Sequence, residues 1–395
     1  MTKIINTVLV GASGQAGFYI KFFRETAEPG ARLCAVVDPF VSSSPHLDWI
    51  RENNIPVFDR LEDFYASGCP AELVIISSPI QFHRQQAETA MFHGSAVLCE
   101  KPLCADVADA VALRDFQAKS GLPFGVAFQW SFSETMASLK RDILDGVYGA
   151  PLSMKTFLSW PRGDAYYDPA GWKGKRRDRH GNAINDSIVM NAAAHYLHNI
   201  LFLLGSDMES AAYPASVTGS LYRARDIESF DTCFMKGAFR GGCSFLYCVS
   251  HSAEKRVDPR FEYRFERGTV SFDDNIDGIV RGVLHDGSVR EYGAPRSEEM
   301  ERCEVYAMIE SARTGAKPVC GISTVMPHLT VCEAILDEFE TGTFPQELLA
   351  RRESPAGVYV KGLNDVMEYY YEHGQTPDAA AWTVPERTVT ITGDA

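Results

Sequence analysis

Positive charge is in short supply in this sequence. Its 38 lysines and arginines face 52 aspartates and glutamates, a formal net charge of −14. That balance excludes a general nucleic-acid surface and a surface drawn to anionic membranes. Ten cysteines occur without metal-type pairs or a regular framework, so reduced thiols in a cytosol are expected rather than disulfides or zinc. No loop carries calcium-ligand spacing, and no metal is expected. No apolar run is long enough to span a bilayer, and no basic-then-apolar leader precedes the first strand, so a cytoplasmic protein without a membrane partner is expected. Internal repeats and low-complexity tracts are missing. So is a nucleophile elbow: Ser13 sits in a glycine turn, where a hydrogen-bond donor is the simpler role.

What is present begins at Thr7 to Val10, an apolar run that rises into Gly11, Gly14 and Gly17. Helix-period residues follow (Ala16, Tyr19, Ile20, Phe23), stopping before Pro29-Gly30, and a second apolar run from Leu33 to Val37 ends at Asp38. Strand, glycine turn, helix, strand and acid form the outline of a dinucleotide site. Glycines let the backbone approach a pyrophosphate, the helix N-terminus attracts its charge, and Asp38 can accept hydrogen bonds from a ribose diol. The turn places Gly11, Ser13, Gly14, Gln15 and Ala16 against the cofactor. A carboxylate at that ribose favours NAD over NADP, because a 2′-phosphate would be repelled; Pro39 and Phe40 supply no arginine, which leaves Arg60 as a distant cation.

Alternating strand and helix patterns continue to about residue 130, as a doubly wound parallel sheet requires. Ligands in such sheets sit beyond the carboxyl ends of the strands. Ser77-Ser78-Pro79, Glu100-Lys101-Pro102 and Gln129-Trp130 all fall at such ends. After a helix over 134–145 the pattern changes. Leu152 to Trp160 reads as a strand, 161–181 as a long loop, and about 186–204 as a helix capped by Asn185 or Asp186. Strand-like runs then follow one another through Leu284, with turn signals at Arg267-Gly268 and Asp286-Gly287. The expected fold is α/β: a Rossmann domain over 1–130, an α+β domain with a large open, mostly antiparallel sheet over 131–342, and a C-terminal extension over 343–395. The extension reads as polar around one helical piece.

His93 to Leu103, with Glu100-Lys101-Pro102 at its centre, resembles the E-K-P signature of the Gfo/Idh/MocA oxidoreductases (glucose-fructose oxidoreductase, inositol dehydrogenase and relatives). Ser77-Ser78-Pro79 followed by His83 is similar to that family's strand-four motif, and Asp186 to Gly205 occupies the place of its D-x-x-x-H helix. The resemblance covers roughly residues 4 to 340. It implies a cis Lys101-Pro102 peptide, cofactor contacts from Ser77, Ser78, Pro79, His83, Glu100, Lys101 and Gln129, and a homo-oligomer formed through the open sheet.

Lys101 at a strand end can bind a reacting hydroxyl and stabilise developing alkoxide charge. Asn191, His195 and His198 share a helical face by their spacing. Histidine titrates in the range a hydroxyl base needs, and the resemblance puts that role on His195. Here the chain departs from the family: the usual aspartate four residues before the histidine is Asn191, which can orient a hydroxyl or imidazole but cannot carry charge. Loop 160–180 gathers aromatic and basic side chains in an otherwise acidic chain. Aromatics stack on sugar faces, and cations hold carboxylates or phosphates. Trp160, Arg162 and Lys173 are the expected substrate contacts, beside Lys101, Asn191 and His195. The expected function is NAD-dependent oxidation or reduction at a secondary hydroxyl of a sugar, cyclitol or sugar acid. Two alternatives are an NAD-retaining enzyme of glycoside cleavage or epimerisation, and a non-catalytic nucleotide- and sugar-binding regulator.

Overall fold

The computed structural model describes residues 3–26, 30–377, 380 and 382–393. Pro29, expected to close the first helix, lies outside them. The elements begin with β1 (Ile5–Val10), α1 (Ala16–Glu25), β2 (Ala31–Val37), α2 (Leu47–Glu52), β3 (Val57–Phe58) and α3 (Leu61–Ala66). Next come β4 (Leu73–Ile76), α4 (His83–Phe92), β5 (Ala96–Cys99), α5 (Val107–Ser120), β6 (Phe124–Val126) and α6 (Glu134–Leu144). The middle of the chain holds β7 (Pro151–Ser159), α7 (Ala194–Leu203), β8 (Ser216–Arg223), β9 (Thr232–Ala238) and β10 (Ser244–Ser250). It continues with β11 (Val257–Phe265), β12 (Gly268–Asp273), β13 (Val280–Leu284) and β14 (Val289–Gly293). The last stretch contains α8 (Ser297–Thr314), α9 (Ile322–Glu338), β15 (Thr341–Thr343), β16 (Leu349–Glu353), β17 (Ala356–Val360), α10 (Leu363–His373) and β18 (Arg387–Thr390).

The chain divides into two units, Met1–Ser133 with Arg296–Val325, and Glu134–Pro295 with Met326–Ala395. In the first, six parallel strands run in the order β3-β2-β1-β4-β5-β6. The order reverses between β1 and β4, which opens a crevice at their carboxyl ends. β4 and β5 are buried at every residue, because helices cover both faces. Tyr19, Ile20 and Phe22 of α1 share a core cluster with Leu9, Leu73, Ile75 and Leu98 of the sheet and with Val305, Met308 and Ile309 of α8. Here the structure departs from the expected division at residue 130, since 296–325 returns to the first unit. The periodicity of α8 shows that one face is apolar, not which sheet covers it. Gly125 helps decide: a Cβ there would stand 2.5 Å from Met308 Sδ, so its missing side chain admits the helix.

The second unit is built on a ten-stranded sheet, β14-β13-β12-β11-β7-β10-β9-β8-β15, with β18 also paired to β8. Pairing is antiparallel except at β7–β10 and β8–β15. α7 packs on one face, where Tyr247 Oη donates to the Ala193 carbonyl at 2.7 Å. The opposite face does not stay bare. Phe157, Tyr222, Phe234, Leu246 and Cys248 form one core with Leu363, Met367 and Tyr370 of α10. The C-terminal extension therefore lies on the sheet. Its short strands β16 to β18 carry too little alternation to be read from sequence. The expected helix over 186–204 is also corrected. Residues 188–193 form irregular turns and α7 starts only at Ala194, after Asn185 in a left-handed conformation (φ 51°).

Candidate active site

In the first unit the carboxyl ends of β1, β4 and β5 are laced together. Gly11 N donates to the Val37 carbonyl (2.9 Å), Ser77 N to Val10 (2.8 Å) and Glu100 N to Ile76 (2.8 Å). Gly11 has φ 101°, and a Cβ on it would fall 2.5 Å from the Ser77 carbonyl oxygen, so no other residue fits this crossing. Gly14 also has positive φ (62°), while Gly17 leaves room for His46 Nε2. Asp38 accepts from Ala12 N (2.9 Å) and Phe40 N (2.8 Å), one bond to each oxygen. A carboxylate offers about four acceptor positions, so the two backbone bonds orient it and leave capacity for a diol. Arg60 forms an ion pair with Glu62 at 3.4 Å. Ser13 is exposed, Ala16 is buried at the start of α1, and Gln15 Nε2 donates to Glu301 Oε1 at 3.2 Å.

Ser78 Oγ donates to Gln86 Oε1 at 2.6 Å, and Pro79 precedes a short 3-10 turn over Ile80–Phe82. His83 is buried, with Nε2 2.8 Å from the Ser78 carbonyl and Nδ1 3.0 Å from that of Pro102. The two ring nitrogens face the two carbonyls and a neutral imidazole donates to one of them, so the ring sits between the two strand-end turns. Burial holds this imidazole below the usual histidine range. Gln129 Nε2 donates to Ser297 Oγ at 2.8 Å. The Lys101-Pro102 peptide is cis.

Behind Lys101 stands a buried acid pair that sequence reasoning missed. Lys101 N donates to Glu100 Oε2 (3.1 Å), and Tyr19 Oη lies 2.8 Å from Glu100 Oε1 and 3.2 Å from Glu304 Oε1. One hydroxyl proton cannot serve two carboxylates, so the second bond needs a proton on one of the acids. Burial raises both carboxyls above their usual range, Glu304 strongly, and their mutual repulsion pushes Glu304 further up. Lys101 works in the opposite direction on both. The sequence contained no signal for this, because Glu304 lies on a helix more than two hundred residues away.

The second unit gathers another group. After β7, Trp160 Nε1 donates to Asp258 Oδ1 at 2.8 Å and its ring meets Tyr196 edge-on. Arg162 N donates to the His251 carbonyl (3.0 Å), and its guanidinium carbon lies 5.0 Å from the Tyr166 ring centre. Lys173 Nζ sits 4.0 Å from that same centre. Burial lowers the Lys173 ammonium from its usual range and Arg162 adds to this, while Asp186 opposes it. Asp186 is itself buried: Oδ2 accepts from Gly174 N (2.6 Å) and Oδ1 from Asn191 Nδ2 (3.0 Å). The residue expected as a helix cap instead fastens the loop to Asn191. His195 is half-buried in the first turn of α7. Asn191 lies in the turn before it, so the two are joined by a bend rather than by one helical face. His198 is fully buried and stacked on Phe202, with desolvation holding it well below the usual histidine range. It belongs to the core.

Residues 5–128 match the family model described as oxidoreductase family, NAD-binding Rossmann fold. The chain is 23% identical over 282 residues to inositol 2-dehydrogenase of Rhizobium meliloti, covering 69% of this chain and 79% of that protein. It is 30% identical over 146 residues to the NAD(+) scyllo-inositol 2-dehydrogenase of Bacillus subtilis, covering 36% and 42%. Among solved structures, the WlbA dehydrogenase of Chromobacterium violaceum, in complex with NADH and UDP-GlcNAcA, superimposes with a TM-score of 0.65 at 21% identity. That fit covers 84% of this chain and 93% of the other.

Proposed function

We propose that the chain is an oxidoreductase of the Gfo/Idh/MocA type, an NAD-dependent dehydrogenase of a secondary hydroxyl on a sugar, cyclitol or sugar acid. The observation that carries the reading is the laced rim of the first unit. Gly11 allows the close crossing, Asp38 is oriented with acceptor capacity to spare, and Lys101 follows at the neighbouring strand end. Those residues fit NAD, and Arg60, the cation able to favour a 2′-phosphate, is already paired with Glu62. Bound NAD would supply the hydride acceptor. Lys101 binds the hydroxyl oxygen and stabilises the alkoxide charge that develops on it. His195 takes the hydroxyl proton, and Asn191, held by Asp186, orients the imidazole or the ring. Arg162, Lys173 and Trp160 position the substrate. The cofactor contacts expected of Ser77, Ser78, Pro79, Glu100 and Gln129 come with the same proposal.

The test is a polyol and sugar-acid panel followed at the nicotinamide absorbance, with NAD and NADP compared. NAD should be preferred. On the substrate found, Lys101→Met and His195→Ala should each lower kcat by ~10²–10⁴-fold, the usual scale for a lost acid–base group, with NAD affinity nearly unchanged. Wild-type turnover in both variants would overturn the assignment.

A further inference from the structure

The cations of loop 160–180 are not equivalent. Lys175 Nζ donates to the Pro169 carbonyl, Arg176 pairs with Asp337 at 2.9 Å, Arg177 donates to the Gly181 carbonyl at 2.8 Å, and Arg179 lies against His180 at 3.0 Å. Arg225, close by, has both terminal nitrogens committed: it pairs with buried Asp231 at 3.4 Å and donates to the carbonyls of Arg162 and Val358, both at 2.7 Å. Arg162 and Lys173 differ from all of these. Both rest on the Tyr166 ring, and among the described residues neither has a carboxylate within ion-pair distance. Asp186 is the acid nearest in effect, but its oxygens already accept from Gly174 N and Asn191 Nδ2. Two half-buried cations against one carboxylate leave a surplus positive charge. Such a surplus is costly to desolvate unless something negative completes it.

We propose that Arg162 and Lys173, set on the face of Tyr166, receive the carboxylate of an anionic sugar, so that the substrate is an aldonate or uronate rather than a neutral polyol. A guanidinium forms paired, directional bonds to a carboxylate, while the ammonium adds a point charge. Asp186 prevents overcharging of the site, and through Asn191 it links the anion seat to the turn that leads into His195. The inference rests on the dehydrogenase reading for what happens to the substrate, but not for what is bound.

The full chain, loaded with NADH, is titrated calorimetrically with four- to six-carbon aldonates and uronates, each beside its neutral alditol or aldose partner. At least one acid should bind ~10–100-fold more tightly than its neutral partner, the scale of a charged hydrogen-bonded contact. Lys173→Met and Arg162→Gln should each remove that preference for the acid over its neutral partner, and Lys173→Arg should restore part of it. Equal or tighter binding of the neutral partner in every pair would overturn the proposal. So would an acid preference that survives in Lys173→Met, the variant with the smaller demand on folding. Because binding is read without turnover, an acid that binds but is never oxidised sinks the dehydrogenase reading and leaves the anion seat standing.

Discussion

Glu304 shows how much a single side chain can carry when it is far from its partners in sequence. Its carboxyl is buried against Glu100 and Tyr19, and Oε2 meets no hydrogen-bond partner. Both acids have folded-state affinities for protons raised above the ordinary carboxylate range. A raised group contributes stability that is present below the unfolded pKa, near 4.3, and lost as pH climbs through the folded value. Glu304→Gln removes that loss. Its melting temperature should exceed the wild type's by about 2–5 °C at pH 8, with a smaller gain at pH 5. Thermal melts at the two pH values decide this, and a gain that is equal or greater at pH 5 would count against a shared proton. Gln at 304 can still accept from Tyr19, so loss of the hydroxyl contact does not confuse the result.

At the scale of elements, the contact between α8 and the parallel sheet depends on a glycine. Met308 Sδ and Cγ would lie 2.5 and 3.1 Å from a Cβ on Gly125. Gly125→Ala should therefore cost about 1–3 kcal/mol in denaturant unfolding, the usual range for overpacking. An unchanged midpoint would mean that the helix is held by something else. The turn before α7 teaches a related lesson. Apolar periodicity carried the expected helix back to residue 186, yet Asp186 bonds to Gly174 N and Asn191 Nδ2 instead of capping. Periodicity reports which residues are buried and is silent on a local backbone bond to a distant loop. By contrast the ends of α5 are set by local bonds: Asp106 accepts from Asp109 N, and Gly121 closes it with φ 68°.

Across the whole molecule, the extension from residue 343 changes what the second sheet can offer. The extension's α10 lies over Phe157, Phe234 and Leu246, and Trp382 joins Tyr222 and Phe344. Arg260 lies over the rings of Phe157 and Tyr371, and it also bonds to Glu368. A homo-oligomer formed through this face, as the family resemblance implies, would have to displace these contacts. A chain ending at Lys361 should expose the apolar set and self-associate in light scattering, whereas the full chain should not associate through it. Met367→Ala, which leaves the cover in place, should cost about 2–5 kcal/mol by opening a cavity. A truncated chain that stays as soluble and as small as expected for its mass would show that the cover is dispensable. No helix among the described residues is long and apolar enough to cross a membrane.

The parallel sheet, its glycine turn, Asp38 and the rim that carries Lys101 were all legible from residue order, and the Rossmann strand order agrees with them. Each is written in short stretches where a strand, its turn and the next helix are neighbours along the chain. Local chemistry is enough there: an apolar run buries, a glycine turns, an acid at a strand end meets the crevice. What no stretch of sequence contained is the return of 296–325 to the first unit, the Glu100–Tyr19–Glu304 trio, the fastening of Asn191 by Asp186, and the covering of the second sheet by its own C-terminus. These depend on which apolar face meets which partner across tens to hundreds of residues, and burial energy is blind to sequence distance. Only the folded chain chooses among such partners.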